Sequence, residues 1–138
     1  MTDCIFCDLV RGEAEISTIY EDDAVLGFMN IHPVNPGHAL VIPKRRATYL
    51  ADLDEETGRA MWTATQRAAA AVRASGLKCE GVNLFLADGE AAFQEVFHVH
   101  MHVIPRFKGD PFQIHIDRNP HPARSELNRV AAMIRRAF

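Results

Sequence analysis

Three histidines stand at alternate positions in the stretch FHVHMHVIP: His98, His100 and His102. The chain holds seven histidines in all, so three within five residues call for a reason. The residues that follow each of them, Val99, Met101 and Val103, are apolar. Strict alternation of this kind marks a β-strand, on which positions i, i+2 and i+4 share a face. The pattern predicts imidazole on one side of the strand and hydrocarbon on the other. Pro105, which cannot donate to a ladder, fits just after such a strand. A helix would scatter the same rings around its cylinder.

Neutral imidazole is a nucleophile toward phosphorus, and near neutral pH much of it is unprotonated. Three rings in register can divide the work: His100 attacks, while an outer ring stabilises or protonates the phosphate group as charge shifts. The competing use is a metal held by all three. Same-face strand positions lie about 6.7 Å apart, which puts His98 and His102 about 13 Å from each other. Metal–nitrogen bonds of about 2.1 Å cannot gather both ends onto one ion without bending the strand, so at most two neighbours share a metal. A lone histidine on a sheet is ordinarily a surface or hydrogen-bonded core residue; three in register shift the balance toward phosphoryl or nucleotidyl transfer. Spacing by itself names no nucleotide.

The elements that must position these rings are legible in outline. Ile5, Phe6, Leu9 and Val10 have helical spacing and Gly12 is a stop signal, which predicts a short opening helix. Residues 17–20 and 24–29 flank the acidic turn Glu21-Asp22-Asp23 and read as a hairpin. HALVIP, residues 38–43, is a third strand. The segment DLDEETGRAMWTATQRAAAAVRASG is the clearest helix, with Asp52 as its expected cap, Glu55 three residues on, and Gly76 beyond its end. Residues 82–87 form a fourth strand and the histidine stretch a fifth. After the loop-like KGDPF and DRNPHP, residues 125–138 form a closing helix through Leu127, Val130, Ala131 and Ile134. Five short strands and two long helices in this order predict an α+β fold, an antiparallel sheet with helices on one side.

Composition narrows the functional classes. At 138 residues the chain is about one ordinary domain. With 48% hydrophobic and 24% charged residues and a net charge of −3, neither disorder nor a broad polyanion-binding surface is suggested, so no nucleic acid polymer is expected as a partner. Lys44, Arg45 and Arg46 read as a solvated cluster, and His115 and His121 as surface residues of a loop. No apolar run is long enough to span a bilayer, and MTDCIFCDLVRGE carries acid where a secretory signal carries positive charge. A cytoplasmic location without membrane association is expected. In a reducing compartment Cys4, Cys7 and Cys79 are read as thiols or metal ligands rather than a disulfide.

The sequence His98-Val-His-Met-His-Val-Ile104 has the form His-φ-His-φ-His-φ-φ, with φ apolar, and resembles the histidine triad of the HIT superfamily. CIFCDLVRGE, YEDDAVLGF, PVNPGHALVIPK and ADGEAAFQEVFH are similar to the corresponding parts of its bacterial-type members, so the resemblance runs from about Cys4 to about Arg106. It implies a single HIT-like domain over residues 1–138, with a core at about 4–106 and a C-terminal loop and helix at 107–138. It also implies a five-stranded antiparallel sheet, two main helices and a short N-terminal helix. The activity implied is hydrolysis or transfer at the α-phosphate of a nucleotide derivative, through a covalent nucleotidyl-histidine, in a homodimer.

By the same resemblance His100 is the nucleophile, His102 contacts the phosphate, and His98 and His38 support them. Gln94 is a phosphate-side contact, Asn30 bonds the ribose, and Ile5, Phe6, Leu9, Phe28 and Ile31 wall the base, although ordinary core packing explains each apolar residue equally well. Dinucleoside polyphosphates are the first substrate class implied and nucleoside phosphoramidates the second. No cofactor is required.

Departures from the family pattern are expected to matter. Ala87 stands where relatives often present an amide to the leaving group, Phe93 replaces a frequent glycine, and Glu95 replaces a hydroxyl that can donate to phosphate. These leave a noncatalytic nucleotide sensor as the alternative function. Some relatives hold a structural zinc with two N-terminal cysteines, the first triad histidine and a further histidine. Here Cys4, Cys7 and His98 are present, but Arg46 falls at the fourth place, and a guanidinium has no lone pair to offer.

Overall fold

The computed structural model describes residues 4–138. Two uninterrupted apolar stretches supply the middle of the sheet. Val25–Met29 (β2) and Ala39–Pro43 (β3) are buried along nearly their whole length, as strands covered on both faces must be. Thr18–Glu21 (β1) joins β2 through a turn in which Asp22 Oδ1 accepts the N–H groups of Ala24 and Val25 at 2.9 and 2.8 Å. Gly81–Phe85 (β4) and Met101–Arg106 (β5) complete a five-stranded, wholly antiparallel sheet in the order β1-β2-β3-β5-β4. The α+β architecture predicted from the pattern is the one observed.

Alternation sorts the strand residues into two sets. Val25, Ala39, Val41, Val99 and Val103 share a core with Met61, Ala64 and Ala68 of the long helix Glu55–Ala74 (α2). Leu26, Phe28, Leu40 and Ile42 belong to a second core, which Cys4 and Phe6 close from the short helix Ile5–Val10 (α1). The helices therefore do not share one side: α1 takes the face opposite α2, because Phe6 is the apolar partner of the second set.

Several boundaries move from their expected places. Asp54, not Asp52, caps α2, accepting both the N–H and the hydroxyl of Thr57 at 2.8 and 2.9 Å. Asp52 takes the Tyr49 N–H at 2.9 Å instead, in a 3-10 turn over Leu50–Asp52. β4 starts at Gly81 and ends at Phe85, two residues short of the expectation. β5 starts only at Met101 and includes Pro105, which pairs with Val82 of β4. A residue's N and C=O point to the same side of a strand. The Pro105 carbonyl accepts from Asn35 Nδ2 at 2.8 Å, so the missing N–H falls on the β3 side, beyond the last β3 partner at Val103. Arg124–Arg135 (α3) is helical as expected, yet none of its residues is buried.

Candidate active site

Of the three alternate histidines only His102 lies within β5; His98 sits in a bend and His100 immediately before the strand. Their common orientation survives because Val99 between them is anchored. Its N–H donates to Ala47 O at 2.8 Å, and its side chain, 1% exposed, fills the α2-side core. The rings consequently gather on the α1 side. Phe6 stands edge-on to His98 and His100, with centroids 5.9 and 5.1 Å away, and His100 and His102 are 5.1 Å apart. His98 is sealed, His100 nearly so, and His102 half-buried.

Hydrogen bonds fix where each ring carries its proton. His100 Nδ1 is 2.8 Å from the carbonyl of His98, which can only accept, so Nδ1 is protonated and Nε2 keeps its lone pair. His38 Nδ1 accepts the N–H of Val34 at 3.0 Å, so its proton sits on Nε2, which donates to His102 Nδ1 at 2.8 Å. His102 must then be protonated on Nε2. Two neighbouring imidazoles are thus set in opposite senses, His100 with a free lone pair and His102 with a donor. His98 Nε2 donates to Pro43 O at 2.7 Å, which turns its Nδ1 lone pair toward the two N-terminal thiols.

Burial favours the neutral form of all four rings. It is the largest cause holding His38, His98, His100 and His102 below the ordinary histidine range, and His102, with His100 and His38 beside it, falls to about 4. For His100 the hydrogen bond to His98 O and the charge of Glu95 work in the opposite direction. Glu95 is therefore close enough to favour a cation on that ring.

The remaining residues expected at the site divide into three groups. Asn30 sits beside His38, with Nδ2 3.4 Å from His38 Nε2 and Oδ1 accepting the His32 N–H at 2.8 Å. Phe6 and Phe28 are buried in the α1-side core, Leu9 packs at its edge, and Ile5 and Ile31 are exposed, Ile31 at 85%. Gln94 is buried and braces the loop before the triad. Its Oε1 accepts the Gly89 N–H at 2.7 Å, and its Nε2 donates to Thr48 O and Val96 O at 2.8 and 3.3 Å. Both amide hydrogens are used, which leaves no side-chain donor for a phosphate in this arrangement. Ala87 is buried, while Phe93 and Glu95 are exposed.

Sequence reasoning passed over three contributors. Val34 acts through its main chain, for which no side-chain signal exists. Phe85 pairs with His102 across the β4–β5 ladder and puts its ring 6.0 Å away, a contact that needs the register to be known. Arg106 grips Asp110 through Nε and Nη2 at 2.6 and 2.8 Å and also donates to Phe112 O, while Asn35 donates to the same carboxylate, fixing the exit of β5. The Arg106 guanidinium holds the Asp110 carboxyl well below the usual carboxylate range.

Cys4, Cys7 and His98 meet beneath the triad. Their ligand atoms lie within 4.8 Å of one another, and His98 Nδ1 is 3.5 Å from Cys4 Sγ and 3.6 Å from Cys7 Sγ. A tetrahedral zinc with ordinary Zn–S and Zn–N bonds requires that edge to be about 3.6 Å. With its outer nitrogen held by a carbonyl, as metal-bound histidines usually are, His98 fits the ion. These three residues would hold it, tying α1 to the start of the histidine stretch. Arg46, expected where a fourth ligand would be, is exposed and donates through Nε to Phe97 O at 3.2 Å.

Residues 11–109 match the HIT domain. A HIT family protein from Bacillus subtilis superposes with a TM-score of 0.91 at 33% identity, covering 99% of this chain and 98% of that one. A zinc-bound histidine triad family protein from Mycobacterium smegmatis is 42% identical, with a TM-score of 0.77 and coverage of 99% and 98%. The Arabidopsis thaliana protein named adenylylsulfatase HINT3 is 37% identical over 109 residues, 78% of this chain and 54% of that protein. With the domain match spanning most of the chain and the triad rings gathered on one side of the sheet, the protein belongs to the HIT family.

Proposed function

We propose that this protein is a nucleotidyl hydrolase or transferase acting at the α-phosphate of nucleotide derivatives through a covalent nucleotidyl-His100. The observation that carries this reading is the proton arrangement from Val34 through His38 to His102, which presents a donor beside the His100 lone pair. In the first step His100 Nε2 forms a bond to phosphorus, and the leaving group departs with the electrons of its own bond. The imidazolium so formed is accommodated by the His98 carbonyl and the nearby Glu95 charge, while His102 Nε2–H bonds a phosphate oxygen. In the second step water attacks phosphorus, the P–N bond returns its pair to His100, and a proton passes to solvent. Two inversions give overall retention.

This arrangement favours some leaving groups over others. His102 has no proton to spare, because giving up its Nε2–H would leave an anionic ring while His38 Nδ1 stays committed to Val34. Groups that leave as anions need no proton, whereas amines do. Dinucleoside polyphosphates are therefore the first substrate class and nucleoside phosphoramidates the second. The name of the Arabidopsis relative, adenylylsulfatase, supports a nucleotide derivative as substrate. The test is to mix the protein with a dinucleoside polyphosphate, quench rapidly and look for an acid-labile nucleoside monophosphate adduct, with His100→Ala as control. Tight binding without adduct or turnover in the intact protein would instead favour a noncatalytic nucleotide sensor, a reading supported by Ala87, the committed Gln94 amide and the Glu95 carboxylate.

The same reading makes the protein a homodimer in the cytoplasm. Support comes from the open β4 edge with half-exposed Leu84 and Phe85, from α3 with Leu127, Met133 and Ile134 uncovered, and from three free thiols. No helix among the described residues is long and apolar enough to cross a membrane. Sedimentation of the full chain tests the dimer directly.

A further inference from the structure

We propose that the Cys4–Cys7–His98 centre takes zinc with three protein ligands and keeps its fourth coordination position for a small exogenous anion, held there by Arg46. Both thiol sulfurs already stand about a tetrahedral edge from His98 Nδ1, at 3.5 and 3.6 Å, and all three ligand atoms lie within 4.8 Å of one another. Among the described residues no fourth cysteine, histidine or carboxylate joins the group. A closed structural site supplies all four ligands from protein; a site with three leaves one position to solvent or to an added ligand.

Charge decides which. Two thiolates and a neutral imidazole bring a divalent ion to zero net charge, and an anion in the fourth position makes the centre negative. Arg46 is the cation that answers it. Tethered through Nε to Phe97 O, next in the chain to His98, it lies close enough for its charge to act on both Cys7 and His98. Without an intervening anion the same guanidinium repels the metal, so metal affinity and anion concentration are coupled. The occupant is small and monovalent, of the halide or azide kind, and in a cell the same position would accept chloride or a thiolate. The inference concerns the Nδ1 side of His98 and its two thiols, and its test does not depend on the nucleotidyl-transfer reading.

The experiment uses reduced, metal-free full-length protein with Co2+ as a spectroscopic probe and Zn2+ affinity measured by competition with a chromogenic chelator. In the wild type the visible Co2+ bands should shift saturably as azide or chloride is added, and zinc affinity should rise with the anion. Arg46→His, which supplies a fourth protein ligand, should bind zinc at least about tenfold tighter and lose the anion response. Arg46→Gln should bind the metal but need about tenfold more anion for the same shift. Cys7→Ser should lose most binding. The proposal is overturned if wild-type Co2+ spectra ignore both anions, if Arg46→His binds no tighter than wild type, or if only Arg46→His binds metal at all. Retention of full affinity in Cys7→Ser would place the metal elsewhere and overturn it equally.

Discussion

His38→Leu removes one donor and leaves the surrounding hydrocarbon nearly unchanged, which makes it a sharp probe of the proton arrangement. In the native site His38 Nε2–H reaches His102 Nδ1 at 2.8 Å. Without it that nitrogen either stays an unpaired acceptor in a half-buried place, at about 1–3 kcal/mol, or takes the proton itself. Taking the proton presents a lone pair, not a donor, to the phosphate. Loss of a whole oxyanion donor costs about 100- to 1,000-fold in kcat. Because His102 retains the productive form for part of the time, a fall of about 10- to 100-fold is expected, mostly in kcat, with KM nearly unchanged. Steady-state turnover of a dinucleoside polyphosphate gives the rate, and nitrogen-15 imidazole spectra show directly which His102 nitrogen is protonated. His38→Gln, whose amide can donate, should recover most of the loss. A folded His38→Leu protein that turns over within about twofold of wild type, or whose His102 still carries its proton on Nε2, would refute the assignment.

The acid response follows from the same rings. All four histidines sit below the ordinary value of 6.5 in the folded state, so their contribution to stability is complete above that pH and is lost as pH falls toward about 4, where His102 finally charges. Urea midpoints measured between pH 7.5 and 4.5 should fall across this window, and kcat/KM should hold level to below pH 6.5 before its acid limb begins. Gly37→Ala should destabilise by about 1–3 kcal/mol in denaturant melts. Gly37 has φ +95°, and an added Cβ would sit 2.8 Å from Leu77 Cδ1 and 3.1 Å from Pro105 Cγ. Phe93→Gly should do the reverse. Phe93 holds φ 68° with its ring 80% exposed, so relief of left-handed strain exceeds the entropy cost of glycine by up to about 1 kcal/mol, readable in the same melts.

The parts of the fold that follow from local pattern were readable in advance. The two strand faces, the helix over residues 55–74 and the turn at Asp22 all come from alternation, alanine content and capping residues within a few positions of one another. Asp52 and Asp54 show where local pattern becomes ambiguous. Each is followed three residues later by a suitable partner, Glu55 or Thr57, and the choice falls to Asp54 because Thr57 gives it two donors. The histidine spacing correctly placed three rings on one side, yet it overextended the strand, since orientation is kept by Val99 and Ala47 rather than by a ladder. Proton positions were beyond reach. They depend on His38 meeting His102 across 64 residues and on a main-chain donor at Val34. The side of the sheet taken by α1 required knowing which strand residues Phe6 would meet.

The stretch beyond Phe112 contributes nothing to either core: from residue 113 to the end no side chain is buried, α3 included. Tolerance to change is therefore unevenly distributed along this protein. Within a single copy the last two dozen residues can be rewritten at little cost to either core, while an added Cβ at residue 37 is felt at once.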